Sequence, residues 1–250
     1  MSLLRIEDLN VRFGALPVLR DVSLDIEAGE TLGLVGESGS GKSMTALSIM
    51  RLLPGSAQMP GRVLLDGEDL AAKSEARMCA LRGASVGMVF QEPMTALNPV
   101  QPIGAQVAEV VRLHRPDLDA EDAAEEALAR AGLPAAQFPL TRYPHDLSGG
   151  QRQRVVIAMA VALRPRLLIA DEPTTALDVT TQARILDLLK SLAREDGAGL
   201  LMITHDLAVV AEMADRIAIM KDGEVVEEGE TVSLFRGMRH PYTTALFAAS

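Results

Sequence analysis

Thr31-Leu32-Gly33-Leu34-Val35 is followed by Gly36-Glu37-Ser38-Gly39-Ser40-Gly41-Lys42-Ser43, and then by Met44-Thr45-Ala46-Leu47-Ser48-Ile49-Met50. The first piece is an apolar run of strand length, and the last carries apolar residues at helical spacing. The middle piece fits G-x-x-x-x-G-K-[ST], a phosphate-binding P-loop set between a buried strand and a helix start. Glycines lack a Cβ, so backbone N–H groups can converge there on phosphate oxygens. The helix N-terminus adds the positive end of its dipole. In this pattern Lys42 holds the β- and γ-phosphates as a point charge and Ser43 ligates Mg²⁺. A chance Gly/Ser-rich turn would not be expected to carry both the strand before it and the helix after it.

The 250 residues suffice for one large α/β domain or two small ones. Hydrophobic residues make up 48% but aromatics only 3%, so Leu, Val, Ile, Ala and Met must fill the core. The net charge of −10 repels a polyphosphate backbone and argues against a nucleic-acid partner. The single cysteine, Cys79, excludes an internal disulfide and an all-cysteine metal cluster within the chain, and suits a reducing compartment. The longest wholly apolar run, Val155 to Leu163, is nine residues. A membrane span needs about 18. Met1 to Glu7 includes an acidic residue and lacks a signal-peptide core. The expectation is a soluble chain that could sit on a membrane protein.

Outward from the loop, residues 3–13 and 18–27 read as strands, the second by its alternation through Arg20-Asp21-Val22-Ser23-Leu24-Asp25-Ile26. Phe13 is either core or a stacking surface for a base. Val63-Leu64-Leu65 precedes the Asp66-Gly67 turn signal, and Val86 to Phe90 is a strand that ends at Gln91-Glu92-Pro93. Pro93, Pro99 and Pro102 then punctuate a loop. Helices are predicted over Ile103–His114 and Asp119–Leu128, and no strand follows until Leu167, so residues 92–165 read as a helical insertion. Leu147-Ser148-Gly149-Gly150-Gln151 opens a helix. Ser148 caps it, either as a plain turn or as part of a second anion site. Leu167 to Ala170 is a buried strand ending in Asp171-Glu172-Pro173. Two carboxylates at a strand's C-terminal end, in a chain that also holds a P-loop, suggest a metal ligand and a base, with a surface turn as the alternative. Residues 180–195 form an amphipathic helix. Gly199 to Thr204 is a strand ending at His205-Asp206, residues 215–221 and 224–228 a hairpin, and His240 to Leu246 a short closing helix.

The P-loop, Gln91, Leu147 to Gln151, Asp171-Glu172, Ala176-Leu177-Asp178 and His205 occur in the order found in ATP-binding cassette (ABC) ATPases. The resemblance spans essentially the whole chain, and LSGGQ is its most diagnostic part. It implies an α/β fold with a P-loop NTPase core and an antiparallel β subdomain (residues 1–91 and 166–250), plus a helical subdomain insertion (92–165). It implies ATP and Mg²⁺ as ligands. Phe13 would stack on adenine, and Gly36, Glu37, Ser38, Gly39, Ser40, Gly41 and Lys42 would hold phosphates. Ser43, Asp171 and Gln91 would serve Mg²⁺. Glu172 would polarise the attacking water, and His205 would touch the γ-phosphate. Ser148, Gly149, Gly150 and Gln151 would bind the ATP of a second cassette, and Asp178 would contact that partner.

Gln91-Glu92-Pro93-Met94-Thr95-Ala96-Leu97-Asn98-Pro99 and the tail His240-Pro241-Tyr242-Thr243 resemble the peptide/nickel importer branch, the ATPase subunits of bacterial dipeptide and oligopeptide uptake. The resemblance implies a peripheral subunit on the cytoplasmic face of the inner membrane. Its partners would be two transmembrane permease subunits, a second ABC ATPase subunit in a homo- or heterodimer, and, indirectly, an extracytoplasmic substrate-binding protein. The alternative class is a soluble ABC ATPase acting in DNA repair or translation. The negative charge, the single cassette and the HPYT tail stand against it.

Overall fold

The computed structural model describes residues 2–175 and 177–248. In chain order they form β1 (Leu4–Phe13), β2 (Leu16–Ile26), β3 (Thr31–Val35), α1 (Lys42–Ile49), β4 (Ala57–Gln58), β5 (Arg62–Leu65), β6 (Glu68–Asp69), α2 (Glu75–Leu81) and β7 (Val86–Val89). There follow α3 (Pro93–Ala96), α4 (Ile103–His114), α5 (Ala120–Arg130), a 3₁₀ turn at Pro144–Asp146, α6 (Gly149–Val161), β8 (Leu167–Asp171) and α7 (Val179–Asp196). The remainder holds β9 (Gly199–Thr204), α8 (Leu207–Met213), β10 (Arg216–Lys221), β11 (Glu224–Glu230), α9 (Thr231–Arg236) and α10 (Pro241–Ala248). Contacts divide the chain into two compact units. The first comprises residues up to 79 and from 199 onward, the second residues 80–198.

In the first unit β3 is buried at every position and lies between β9 and β10, parallel to both. Burial on both faces explains why Thr31–Val35 and Gly199–Thr204 read as nearly unbroken apolar runs. β11 returns antiparallel on β10. A separate antiparallel sheet sets β1 between β2 and β5, with β6 beyond β5 and β4 beside β1. In β2, Val22, Leu24 and Ile26 are buried while Asp21 and Ser23 are exposed, the pattern of a strand with one wet face. β3 is held close to α8 by Gly33, where an added Cβ would lie 2.3 Å from Val210 Cγ1.

In the second unit β7 and β8 pair in parallel, with Val89 opposite Ala170. α4 buries Ile103, Val107 and Val111 at helical spacing and carries Arg112 and His114 in its last turn, where the dipole favours cations. α5 is capped by Asp119, whose carboxylate accepts the N–H groups of Glu121 and Asp122. The ends of α5 and α7 are joined by Arg130, which donates to both carboxylate oxygens of Asp196 at 2.8 Å. Among the described residues from 92 to 165 every regular element is helical. The second unit is wider than that segment, since β7, β8 and α7 group with these helices.

Some elements are additional to those read from the sequence. α2, α8 and α9 are six or seven residues long, too short for a helical period to show. Pro93 opens the one-turn helix α3 as well as punctuating the chain, because proline at the first helical position sacrifices no hydrogen bond. Ala176 lies outside the described residues.

Gly33→Ala should lower stability by about 1–3 kcal/mol, because Val210 is β-branched and cannot swing its methyl aside. Urea unfolding of the two proteins measures this.

Candidate functional site

In the first unit the site begins where β3 ends. Gly39 (φ 82°) and Gly41 (φ 106°) take left-handed backbone conformations that side chains disfavour, and Gly41 is the N-cap of α1. The loop is pressed against β10: a Cβ on Gly36 would meet the Met220 carbonyl oxygen at 2.2 Å. Lys42 is buried and curls back over the loop, its Nζ donating to the carbonyls of Gly36 (2.7 Å) and Glu37 (2.8 Å). Ser40 is only 4% exposed, and its buried hydroxyl has no hydrogen-bond partner among the described residues. Buried hydroxyls are normally paired. An anion seated on the loop would supply the missing acceptor, so the residues present fit a phosphate. Glu37, Ser38, Gly39 and Ser43 are exposed along the same loop.

β9 runs beside β3 with Thr204 opposite Val35, so His205 and Gly36 leave the sheet from adjacent strand ends. His205 is exposed, and the next residue, Asp206, caps α8 by accepting the N–H groups of Ala208 and Val209. Phe13 closes β1 opposite Leu16 and Ala57 and is half-buried, so part of its ring is open to a ligand.

In the second unit a parallel register performs the same task. Val89 faces Ala170, and Gln91 and Glu172 follow two residues later on the two strands. Gln91 Nε2 donates to Glu172 Oε2 at 3.2 Å. Asp171 is the last residue of β8 and is 6% exposed. Glu172 takes a left-handed backbone (φ 45°), which turns the chain sharply off the strand. Thr175 stabilises the turn: its hydroxyl lies 3.2 Å from both the carbonyl oxygen and Oε2 of Glu172. A hydroxyl three residues beyond an acidic residue is visible in the sequence, but nothing local marks it as a contact.

Ser148 and Gln151 form a reciprocal cap on α6. Ser148 Oγ accepts the Gln151 N–H (3.3 Å), and Gln151 Oε1 accepts the Ser148 N–H (2.9 Å). Gly150 lets this helix start approach α7, since a Cβ there would lie 2.5 Å from Thr181 Cγ2. Thr181 is itself bound by Asp178, whose carboxylate accepts its hydroxyl (2.7 Å) and its N–H (3.0 Å). Those two bonds hold the Asp178 carboxyl below its ordinary pKa. Ser148 to Gln151 and Asp178 thus mark two neighbouring helix N-termini.

Among the described residues no three His, Cys, Asp or Glu side chains group as a metal cage. Mg²⁺ characteristically takes one or two carboxylates together with substrate phosphates; in the second unit Asp171 is a carboxylate of that kind, and in the first Ser43 offers a hydroxyl oxygen.

The strand–glycine loop–helix with its buried lysine and unsatisfied hydroxyl defines a P-loop nucleotide-binding fold. Residues 19–175 match the family described as ABC transporter, and the chain belongs to that family. It is 50% identical over 262 residues to the glutathione import ATP-binding protein GsiA of Escherichia coli O157:H7, and 49% identical to the protein of that name from Escherichia coli strain K12. Each match covers 99% of this chain but 42% of the relative, so the chain spans less than half the length of these curated relatives. Among solved structures, the cassette MJ0796, a dimer in a post-hydrolysis state bound to ADP and Pi, superposes with a TM-score of 0.79 at 32% identity, over 91% of this chain and 98% of that one. The protein cbiO1 from Clostridium perfringens, part of the ABC transporter complex cbiONQ, superposes with a TM-score of 0.83 at 28% identity over 99% of both chains. Among the described residues no helix is long and apolar enough to cross a membrane.

Ser148→Ala removes one side of the α6 cap and should cost about 1 kcal/mol. A denaturant titration should show an earlier midpoint with an unchanged slope.

Proposed function

We propose that this chain binds and hydrolyses ATP as one cassette of a pair, and that it energises an importer for short peptides. The observation that carries the reading is the P-loop itself, with Lys42 buried over the loop beside a hydroxyl that lacks an acceptor. Phosphoryl transfer needs positioning and charge neutralisation more than covalent chemistry. The residues fit those two tasks. Lys42 exchanges its two carbonyl partners for phosphate oxygens. His205, leaving the sheet beside Gly36, donates to the terminal phosphate. Phe13 offers its open ring face to the base.

Ser43 and Asp171 are the residues that would hold Mg²⁺, which would supply charge neutralisation on the phosphates. Gln91 has both a donor and an acceptor on its amide. Its donor engages Glu172, and its carbonyl oxygen suits a hard cation. Glu172 is the base that orients the attacking water, held by Gln91 and Thr175.

The capped N-terminus of α6, at Ser148, Gly149, Gly150 and Gln151, serves the nucleotide of a second cassette, with Asp178 beside it. In this reading neither cassette is complete alone, and ATP acts as the glue between them. The partners are a second ATPase subunit, identical or different, and two permease subunits at the cytoplasmic face of a bacterial membrane. An extracytoplasmic binding protein delivers the cargo. Half identity to proteins named for glutathione import supports a short peptide as that cargo. The segments Gln91 to Pro99 and His240 to Thr243 point to the same peptide/nickel branch.

Glu172→Gln should reduce ATP turnover by at least about a hundredfold while retaining ATP and favouring the paired state, in line with the loss of a general base. Phosphate release and light scattering measure the two effects, and wild-type turnover in the variant would remove Glu172 from the role. Lys42→Ala should weaken nucleotide binding by tenfold or more, the scale of a charge-assisted hydrogen bond. Titration calorimetry that returned equal affinity would count against the P-loop assignment.

A further inference from the structure

The tail stretch His240-Pro241-Tyr242-Thr243 has no task in the reaction outlined above, yet it is tied firmly into the fold. Glu227 on β11 accepts the N–H groups of Arg239 (2.8 Å) and His240 (3.1 Å), which fixes where the segment crosses the hairpin. His240 Nδ1 accepts the Tyr242 N–H (3.2 Å) and so satisfies one of the unpaired donors at the start of α10. Pro241 occupies the first helical position, where its missing N–H costs nothing. Thr243 is fully buried. Further along α10, Leu246 and Phe247 pack on a core cluster that includes Val35, the last residue of β3 before the P-loop.

This packing brings Tyr242 to the loop. Its hydroxyl oxygen accepts the Glu37 N–H at 3.2 Å. The Lys221 ammonium sits 5.0 Å from the centre of its ring, at the end of the strand that pairs with β3. Glu37 is gripped through both of its backbone polar groups, because its carbonyl accepts Lys42 Nζ. A second grip comes from the β10–β11 turn, where the Gly223 N–H donates to the Ser40 carbonyl at 3.0 Å. The loop is therefore held at residues 37 and 40 by groups that belong to neither its own strand nor its own helix.

We infer that the His240–Thr243 segment sets the shape of the P-loop for nucleotide, and that Tyr242 is its positioning residue, acting through the Glu37 backbone on Lys42. The inference rests on the nucleotide-binding reading of the loop. Tyr242 touches none of the atoms assigned to bond breaking, so its hydroxyl governs how tightly nucleotide is held and not how fast it is cleaved. Phenylalanine keeps the ring under Lys221 and the packing of α10, and removes only the hydroxyl, with its hydrogen bonds to Glu37.

The test is titration calorimetry of the full chain with Mg²⁺ and ADP, with ATP turnover measured in parallel, for wild type, Tyr242→Phe, Tyr242→Ala and Lys42→Ala. Tyr242→Phe should bind ADP about three- to tenfold more weakly, the scale of one lost hydrogen bond. It should raise KM for ATP by the same factor, keep kcat within twofold and melt at the wild-type temperature. Equal affinity for wild type and Tyr242→Phe, with Lys42→Ala weakened, overturns the inference and leaves the nucleotide reading standing. Weak binding by Tyr242→Ala alone also overturns it, since the tail would then act by packing only. A wild-type chain that binds no ADP removes the reading and the inference together.

Discussion

A helix that starts directly after a glycine turn exposes backbone N–H groups that have no carbonyl partner within the helix. In α1 those donors lie at the end of a strand buried on every side, at Gly41 and the residues after it. The constraint shapes its neighbourhood. The turn must be made of residues that tolerate left-handed backbone. The lysine must be long enough to return over the loop, and its burial requires the two carbonyls that now receive it. Parallel pairing then brings the adjacent strand end, with His205, out of the sheet beside the loop.

The second unit repeats the device with side chains in place of amides. Here the register of β7 on β8 is what matters, because a slip of one residue would turn Gln91 to the opposite face from Glu172. The contact between them at 3.2 Å is thus a product of strand pairing as much as of side-chain chemistry. Thr175 adds a tether three residues on, which holds the carboxylate against the turn it begins. The start of α6 and the start of α7 show the same economy: Gly150 has no side chain because Thr181 occupies the space, and Thr181 is placed there by Asp178.

Much of this was legible in the sequence. The P-loop declares itself because the motif and its flanking periods agree, and α4 follows its apolar spacing from Ile103 to His114 residue for residue. Ser148 as a cap and the strand ending at Asp171 are local features with local signals. What escaped was either short or non-local. Helices of two turns show no period, so α2, α8 and α9 were silent. Tyr242 meets Glu37 across 205 positions, and nothing near either residue advertises the other. The division into compact units was also not to be read from a change of texture at residue 92, because β7 and β8 look like any core strand until their partners are known.

Glu172 sits in a backbone conformation (φ 45°) that costs a residue bearing a Cβ roughly 1–2 kcal/mol relative to the right-handed region. Glycine would relieve that strain while deleting the carboxylate. Under the role proposed for Glu172, stability and catalysis pull in opposite directions at one position, a local form of the trade-off seen when active sites are optimised for folding. A library of this chain selected only for heat resistance would drift toward glycine at 172. A library selected for the ATP turnover proposed above would hold glutamate there and recover the deficit elsewhere in the core.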